Sequence, residues 1–468
     1  MIILKELESY SESKLIKEFN NDSNDLKEIL KILDDKKIIK VNLKNEVQFC
    51  YVGIVIVKDR PIFVLPKYTN CNNEQEKKLE LKSIIKLLNE FSEREKLDTS
   101  DVENIAFEQE SLENNLISIT SYLLDDYIEN GIYQNEVDST EFNGDGDINW
   151  DKTIDQIYPI VVNEQCLYAD LITNRIIIDN DRFITMLHGK VINECIEFLN
   201  KTGLNEFLNY EIDVIENTFE DLEDIDRIES EIDKEISIQF NDRKKRVLYA
   251  IKSYLNKKTG TSDSKLLLYG TRNFKWVWEV ICGHAFDNEF IRQGNLSKYE
   301  VYGIESPKWY FDNKNSIEIN DKNDIGMQKN RLTPDILKLV TKEQLRCLLI
   351  LDAKYYNIRL NGNKLEGNPG IEDITKQYLY HSALTKYIKN NKINRVINAF
   401  LFPTQNDTNI QGEVNLDFMR IYSNINIKLI QLNVNEVISM YCNNNKYKLE
   451  EFISMVNSWH RIENNNHI

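Results

Sequence analysis

The chain has 468 residues, 41% of them hydrophobic and 10% aromatic, with a net charge of −18, the composition of a globular protein long enough for more than one domain. No apolar run approaches the ~20 residues of a membrane span, and the apolar opening Met1-Ile2-Ile3-Leu4 is too short for a signal peptide. Seven scattered cysteines with no CxxC pair supply neither a zinc site nor a disulfide framework, so a reducing cytosol is the expected location.

The first forty residues read as helical, from Glu12 to Ile16 and again from Leu26 to Leu30. Val47 to Val57 is rich in β-branched and aromatic residues and reads as one strand. Lys58-Asp59-Arg60-Pro61 turns the chain into a return strand at Ile62 to Leu65. A charged helix follows over 73–95, with Leu79, Ile84, Leu87 and Leu88 on or near its apolar face. Together these form a small N-terminal α+β module.

Further along, Leu116 to Ile128 reads as a helix. Asn143-Gly144-Asp145-Gly146-Asp147 looks like a calcium loop. It fails as an EF-hand because the sixth and twelfth positions, which need Gly and a bidentate Glu, are Ile148 and Ile154. A glycine-rich turn before a buried Trp150 is the expectation. Residues 205–257 read as a solvated helical connector. Its residues 206–235 hold 13 Asp plus Glu against Arg227 and Lys234, more than half of the chain's negative excess. Basic Arg243-Lys244-Lys245-Arg246 follows, then a boundary loop at Gly260 to Ser264.

The last part opens with Tyr269-Gly270-Thr271-Arg272-Asn273 and a helix whose Phe274, Val277, Trp278 and Ile281 share a stripe. Glu279 lies off that stripe. It reads either as a solvated surface residue or as a carboxylate projecting toward the strands. Strands are expected at Tyr299 to Tyr302, Trp309 to Asp312, Asp335 to Val340 and Cys347 to Ala353. Pro369-Gly370 introduces a helix through Lys389, and strands follow at Val396 to Pro403 and Ile427 to Val434. The order is that of an αβββαβ core. The expected domains are 1–200, a connector at 201–260, and 261–468.

Two short elements in that core carry chemistry. Thr333-Pro334-Asp335 is followed 17 positions later by Asp352-Ala353-Lys354, at the end of the apolar run Cys347 to Leu351. A hard divalent cation prefers oxygen ligands. Asp335, Asp352 and the carbonyl of Ala353 supply three, and the cation would be Mg²⁺ or Mn²⁺. Alternate strand residues share a face, so Lys354 stands beside Asp352, able to orient a water or stabilise charge on a phosphate. Residues 327–400 carry 13 Lys plus Arg against 6 Asp plus Glu, a basic setting that suits a polyanion such as double-stranded DNA.

Taken together, Tyr269 to Phe274 with Val277-Trp278-Glu279, Thr333-Pro334-Asp335 with Leu351 to Tyr356, and Pro369 to Tyr380 resemble the LlaJI family of restriction endonucleases, within the PD-(D/E)xK nuclease superfamily. The resemblance extends upstream to Tyr51-Val52-Gly53-Ile54 and to Gly144 through Ile154. It implies an α+β, multidomain, McrC-like nuclease subunit of an anti-phage restriction system in the bacterial cytoplasm. Its partner would be a separate, McrB-like AAA+ GTPase or ATPase docked on the N-terminal region. By position it gives Asp335 and Asp352 the metal-ligand role and Lys354 the catalytic-lysine role. It makes Glu279 the helix carboxylate and Gln377 a supporting helix residue. One departure is plain: where a tyrosine is usual four residues after that Gln, this chain has His381, with Tyr380 adjacent. The chain has no Gly-x-x-x-x-Gly-Lys-Ser/Thr phosphate loop of its own. Two other readings are a non-catalytic activator of an NTPase and a stand-alone repair nuclease.

Overall fold

The computed structural model describes residues 2–19, 23–58, 60–94, 116–134, 136–163, 165–178, 183–216, 225–259, 266–290, 302–304, 308–311, 315–318, 332–342, 344–361, 364–419 and 425–465. It is a mixed α+β protein with two compact units. One comprises Met1–Val55, Pro61–Gln109 and Gly270–Ile468, and the other Ile56–Arg60 and Glu110–Tyr269. These units do not follow the expected boundaries at 200 and 260. The N-terminal module belongs with the C-terminal part because the two share a core. Within the first unit, the Glu74–Arg94 helix meets the Phe274–Ala285 and Val434–Cys442 helices through Phe91, whose ring lies 4.8 Å from Trp276 edge-on and 6.2 Å from Tyr441.

The expected strand at 47–57 is two strands. Val47–Phe49 pairs with Ser9–Tyr10 and Ile39–Val41, while Val52–Val57 lies beside Arg60–Leu65 in a second sheet. The opening residues, not expected to be a strand, are one: Ile2–Lys5 runs parallel to Arg60–Leu65, with Ile2 opposite Ile62 and Leu4 opposite Val64. In the Glu74–Arg94 helix the buried stripe is Leu81, Ile84, Leu87, Leu88 and Phe91, and Leu79 is 65% exposed.

The centre of the first unit is a five-stranded sheet in the order Ile336–Lys342, Leu345–Ala353, Arg395–Thr404, Ile427–Asn433, Asn409–Val414. The first pair is antiparallel, the next two parallel and the last antiparallel. Strands buried on both faces read as continuous apolar runs, which is why Cys347 to Leu351 is entirely buried. The expected 369–389 helix is two, Ile371–Ala383 and Thr385–Asn390. Tyr380 and Leu384 pack on Leu337, Leu348 and Ile350, and Tyr378 packs on Phe400 and Phe402, so the first of these helices covers the face that carries the even-numbered residues of the central strand. The expected three-strand run is not continuous in this sheet. Lys308–Phe311 pairs with Asn315–Glu318 in a two-stranded sheet of its own; of the strand expected at 299–302, Tyr302 is described, and it is not in a strand.

In the second unit the Leu116–Asn130, Phe183–Lys201, Ile225–Ile238 and Asp242–Thr259 helices pack together. The segment expected to be a solvated connector is therefore partly core: Ile228, Ile232, Val247, Leu248, Ile251 and Leu255 are buried. Charge alone misreads it, because the acidic residues occupy only the outer face of each helix. Arg243 of the basic run is bound to Asp126 by two bonds of 2.8 and 2.7 Å. The glycine-rich turn is present, closed by Asn143, whose N–H donates to the Leu171 carbonyl and whose side chain accepts from the Leu171 N–H. Trp150, however, is 52% exposed rather than buried. The boundary loop expected at 260–264 lies outside the described residues.

Candidate active site

The site forms where the Leu345–Ala353 strand leaves the sheet. Ile336 is paired with Leu351 across the antiparallel ladder. One residue further along that register, Asp335 comes opposite Asp352, as cross-strand neighbours on one face. A hydrogen bond fixes the junction: Ala353 N–H donates to Oδ2 of Asp335 at 3.1 Å. Asn288 holds the turn from behind. Its amide donates to the Asp335 carbonyl at 2.8 Å, and its Oδ1 accepts from Leu337 N–H at 3.0 Å.

Asp352 and Lys354 are 4% and 7% exposed, so both charges sit largely out of water. The Lys354 ammonium lies 2.6 Å from Oδ2 of Asp352 and 3.1 Å from Oδ1 of Asp373, which projects from the first turn of the Ile371–Ala383 helix. Burial works against the charge on Lys354, but the two carboxylates outweigh it and hold its pKa above the ordinary lysine value. Burial, with Asp373 adding, raises the Asp352 carboxyl above its ordinary value even though Lys354 pulls it down. The direction for which the geometry speaks is a protonated Lys354 between two acids. Asp352 is the acid most in need of a further cation to stay ionised.

The other expected residues fall as follows. Glu279 is half-buried on the Phe274–Ala285 helix, one turn before buried Cys282. Burial pushes the Cys282 thiol up, and the negative charges of Asp335 and Glu279 push it further. Gln377 is fully buried on the helix covering Asp352's face. Its backbone carbonyl accepts from the amide of Asn398, which is in register with Ile350 two positions before Asp352. Tyr380 serves the core, and His381, half-buried, is pushed below the ordinary histidine value by that burial.

Sequence reasoning missed three residues here. Asp373 completes the Lys354 pair and was legible only as an acid in a helix's first turn. Tyr356, whose hydroxyl donates to Asp373 at 3.4 Å, and Asn288 carried no signal of their own.

Among the described residues no three His, Cys, Asp or Glu side chains converge to hold a metal ion. The donor set nevertheless fits a cation that keeps most of its waters and takes only one or two carboxylates, as Mg²⁺ does. Among the described residues both amide atoms of Gln377 and Oδ1 of Asn398 are buried without a hydrogen-bond partner, and Oδ2 of Asp352 is buried against the Lys354 ammonium. Such atoms carry a desolvation cost that water or a cation would relieve.

The local sequence explains why the Phe274–Ala285 helix starts where it does. Gly270 has φ +153°, and a Cβ there would overlap the Val52 carbonyl oxygen, so only glycine fits the close approach. Thr271 Oγ1 accepts from Asn273 N–H at 2.9 Å, and Asn273 caps the helix by accepting from Trp276 N–H. Trp278 then ties the helix to the sheet through Nε1–H to the Leu401 carbonyl, 3.2 Å away.

Residues 51–440 match the LlaJI restriction endonuclease family. The chain belongs to that family. It is also 31% identical over 443 residues to the Type II restriction enzyme BsuMI component YdjA of Bacillus subtilis, covering 92% of this chain and 88% of that one. Among solved structures, it is similar to a half-complex from the assembly of Thermococcus gammatolerans McrB AAA+ hexamers with bound McrC, at 11% identity and a TM-score of 0.41, over 94% of this chain and 98% of that one. The McrBC complex of the same organism matches at 12% identity and 0.25, over 55% of this chain and 79% of that one. At those scores the shapes agree only in part, and membership rests on sequence. For a LlaJI-family chain the Asp335, Asp352 and Lys354 cluster coincides with the motifs that suggested the family. No helix among the described residues is long and apolar enough to cross a membrane.

Proposed function

We propose that this LlaJI-family chain is the nuclease subunit of a two-component, nucleotide-dependent restriction system that acts against phage, and that its sheet and two flanking helices are a PD-(D/E)xK core. The observation that carries the reading is the convergence of Asp335, Asp352 and Lys354 at one strand end, with Lys354 held by both Asp352 and Asp373.

Asp335, Asp352 and the Ala353 carbonyl would hold Mg²⁺ or Mn²⁺, with Glu279 beside them. When bound, that cation acidifies water and offsets phosphate charge. Lys354 stays protonated and places its charge at the strand end, where an attacking water and a phosphate oxygen can accept from it. Asp373 and Tyr356 fix the lysine's direction. Gln377 and Asn398 offer buried polar atoms behind Asp352. For Asp373→Ala we expect the single-turnover cleavage rate to drop by about tenfold, about 1.4 kcal/mol. KM should be unchanged, and Asp373→Glu should restore part of the loss. Full activity in Asp373→Ala would remove it from the site.

A motor on a separate polypeptide fits a chain without a phosphate loop. The second unit offers a surface for it. Trp150, Ile154, Tyr158, Ile160, Val161 and Leu167 are exposed, Tyr158 to 94%, an unusual run of bare apolar side chains for a soluble surface. The AAA+ NTPase is the occupant we assign to it. The test mixes plasmid DNA, Mg²⁺ and nucleotide with the full chain, alone and with an McrB-like AAA+ NTPase from the same genome. Cutting is expected only in the mixture and is expected to stop with EDTA. Efficient nucleotide-free cutting by the chain alone at about 0.15 M salt would reject the two-component reading. NTPase stimulation without cutting would favour the non-catalytic activator.

A further inference from the structure

The residue after Lys354 ties the catalytic strand end to the N-terminal module. Tyr355 is buried, and its hydroxyl donates to Oε2 of Glu6 at 2.5 Å. The backbone N–H of Lys67 lies 3.1 Å from the same hydroxyl and 3.2 Å from the same carboxylate oxygen. Phe274, in the first turn of its helix, stacks on Tyr355 at 5.2 Å. The N-terminal module thus packs directly on the strand exit that carries Lys354.

What the module presents there is positive. The Lys67 ammonium sits 4.3 Å from the centre of the Tyr355 ring and 5.9 Å from that of Tyr356. Among the described residues no carboxylate forms an ion pair with it. Tyr356 in turn reaches Asp373, and Asp373 reaches Lys354. Lys67 is therefore one tyrosine ring away from the acid that holds the catalytic lysine. Burial works against the charge on Lys67, the Glu6 carboxylate supports it, and Lys275, exposed beside Phe274, opposes it. That supporting carboxylate is itself held by the Tyr355 hydroxyl, so a polyanion is a ligand that would offset the remaining cost of a half-buried ammonium. The aromatic rings keep Lys67 in place beforehand.

Resting on the nuclease reading above, we propose that Lys67 of the N-terminal module contacts a backbone phosphate of the DNA strand being cut. The N-terminal region then has a substrate-binding duty distinct from any docking on a partner.

The test measures binding of a fluorescently labelled 30-base-pair duplex to the full chain in EDTA over a range of salt concentrations. Wild type, Lys67→Ala and Lys67→Arg are compared. Both bonds from the Lys67 backbone survive truncation, and unchanged thermal melting confirms that the fold does. Lys67→Ala is expected to make the slope of log K against log salt shallower by about 0.9, the loss of one phosphate contact. Its affinity is expected to fall by about five- to tenfold, with Lys67→Arg near wild type. An unchanged slope and affinity in Lys67→Ala overturns the proposal. So does a slower cut of bound DNA with an unchanged slope, which would make Lys67 a support for Tyr355. Wild-type protein with no salt-dependent DNA binding at all would instead bring down the nuclease reading itself.

Discussion

Asp352→Ala should abolish DNA cleavage, by at least about a thousandfold, while the protein folds and melts as before. Two features of the site lead to both halves of that expectation. Burial raises the Asp352 carboxyl above its ordinary value, so on the proposed reading it would gain most from a cation and would anchor it. Its loss would leave the cation one anchoring carboxylate short, with Asp335, the Ala353 carbonyl and Glu279 remaining. The fold survives because Lys354 keeps Asp373 as a partner 3.1 Å away, so no buried charge is stranded. The measurement is single-turnover cleavage with partner, nucleotide and Mg²⁺ present, alongside thermal melting. Undiminished cutting would falsify the site assignment.

Lys354→Ala should also stop chemistry, by about a hundred- to a thousandfold in single-turnover rate, the range for removing one charge-stabilising donor. DNA affinity at fixed salt should change by less than about twofold, because the ammonium is enclosed by Asp352 and Asp373 and is only 7% exposed. The substitution leaves those two acids facing each other without the charge between them, so some stability is lost as well, and Lys354→Gln serves as the milder control. A large loss of affinity with bound DNA still cut at the normal rate would turn Lys354 into an ordinary phosphate contact. The contrast with Lys67 is the informative comparison: one lysine should control rate and the other the salt slope.

The cluster of Asp335, Asp352 and Lys354 was legible because its signal is local. An apolar run ending in Asp-x-Lys needs only the two-residue repeat of a strand to place both side chains on one face. Pro-Asp before a second strand needs only antiparallel register. Glu279 was ambiguous by periodicity, because which side of the helix faces the sheet depends on how the helix packs. Lys67 was illegible because the tyrosine it lies against is almost three hundred residues away, and Asp373 because only the packing of its helix brings it to Lys354. The middle was misread where composition stood in for packing. Residues 225–259 are highly charged, yet their few aliphatic residues lie on one stripe of each helix and are buried. Trp150 was expected inside because tryptophan usually is, and it lies outside.

The parallel pairing of Ile2–Lys5 with Arg60–Leu65, and the seating of Glu6 on Tyr355, have a consequence for biosynthesis. A chain emerging from the ribosome folds its N-terminal parts first. Here the early module exposes Glu6 and Lys67 long before Tyr355 and Lys354 are made, and the second unit is completed in between. The strand end that carries Lys354 therefore docks last, onto a platform already waiting for it. Fragments that stop short of the C-terminal sheet have the platform but not the Asp335, Asp352 and Lys354 cluster, and fragments that lack the first hundred residues have the motif without its support. On the proposed nuclease reading, neither kind of incomplete product would cut DNA.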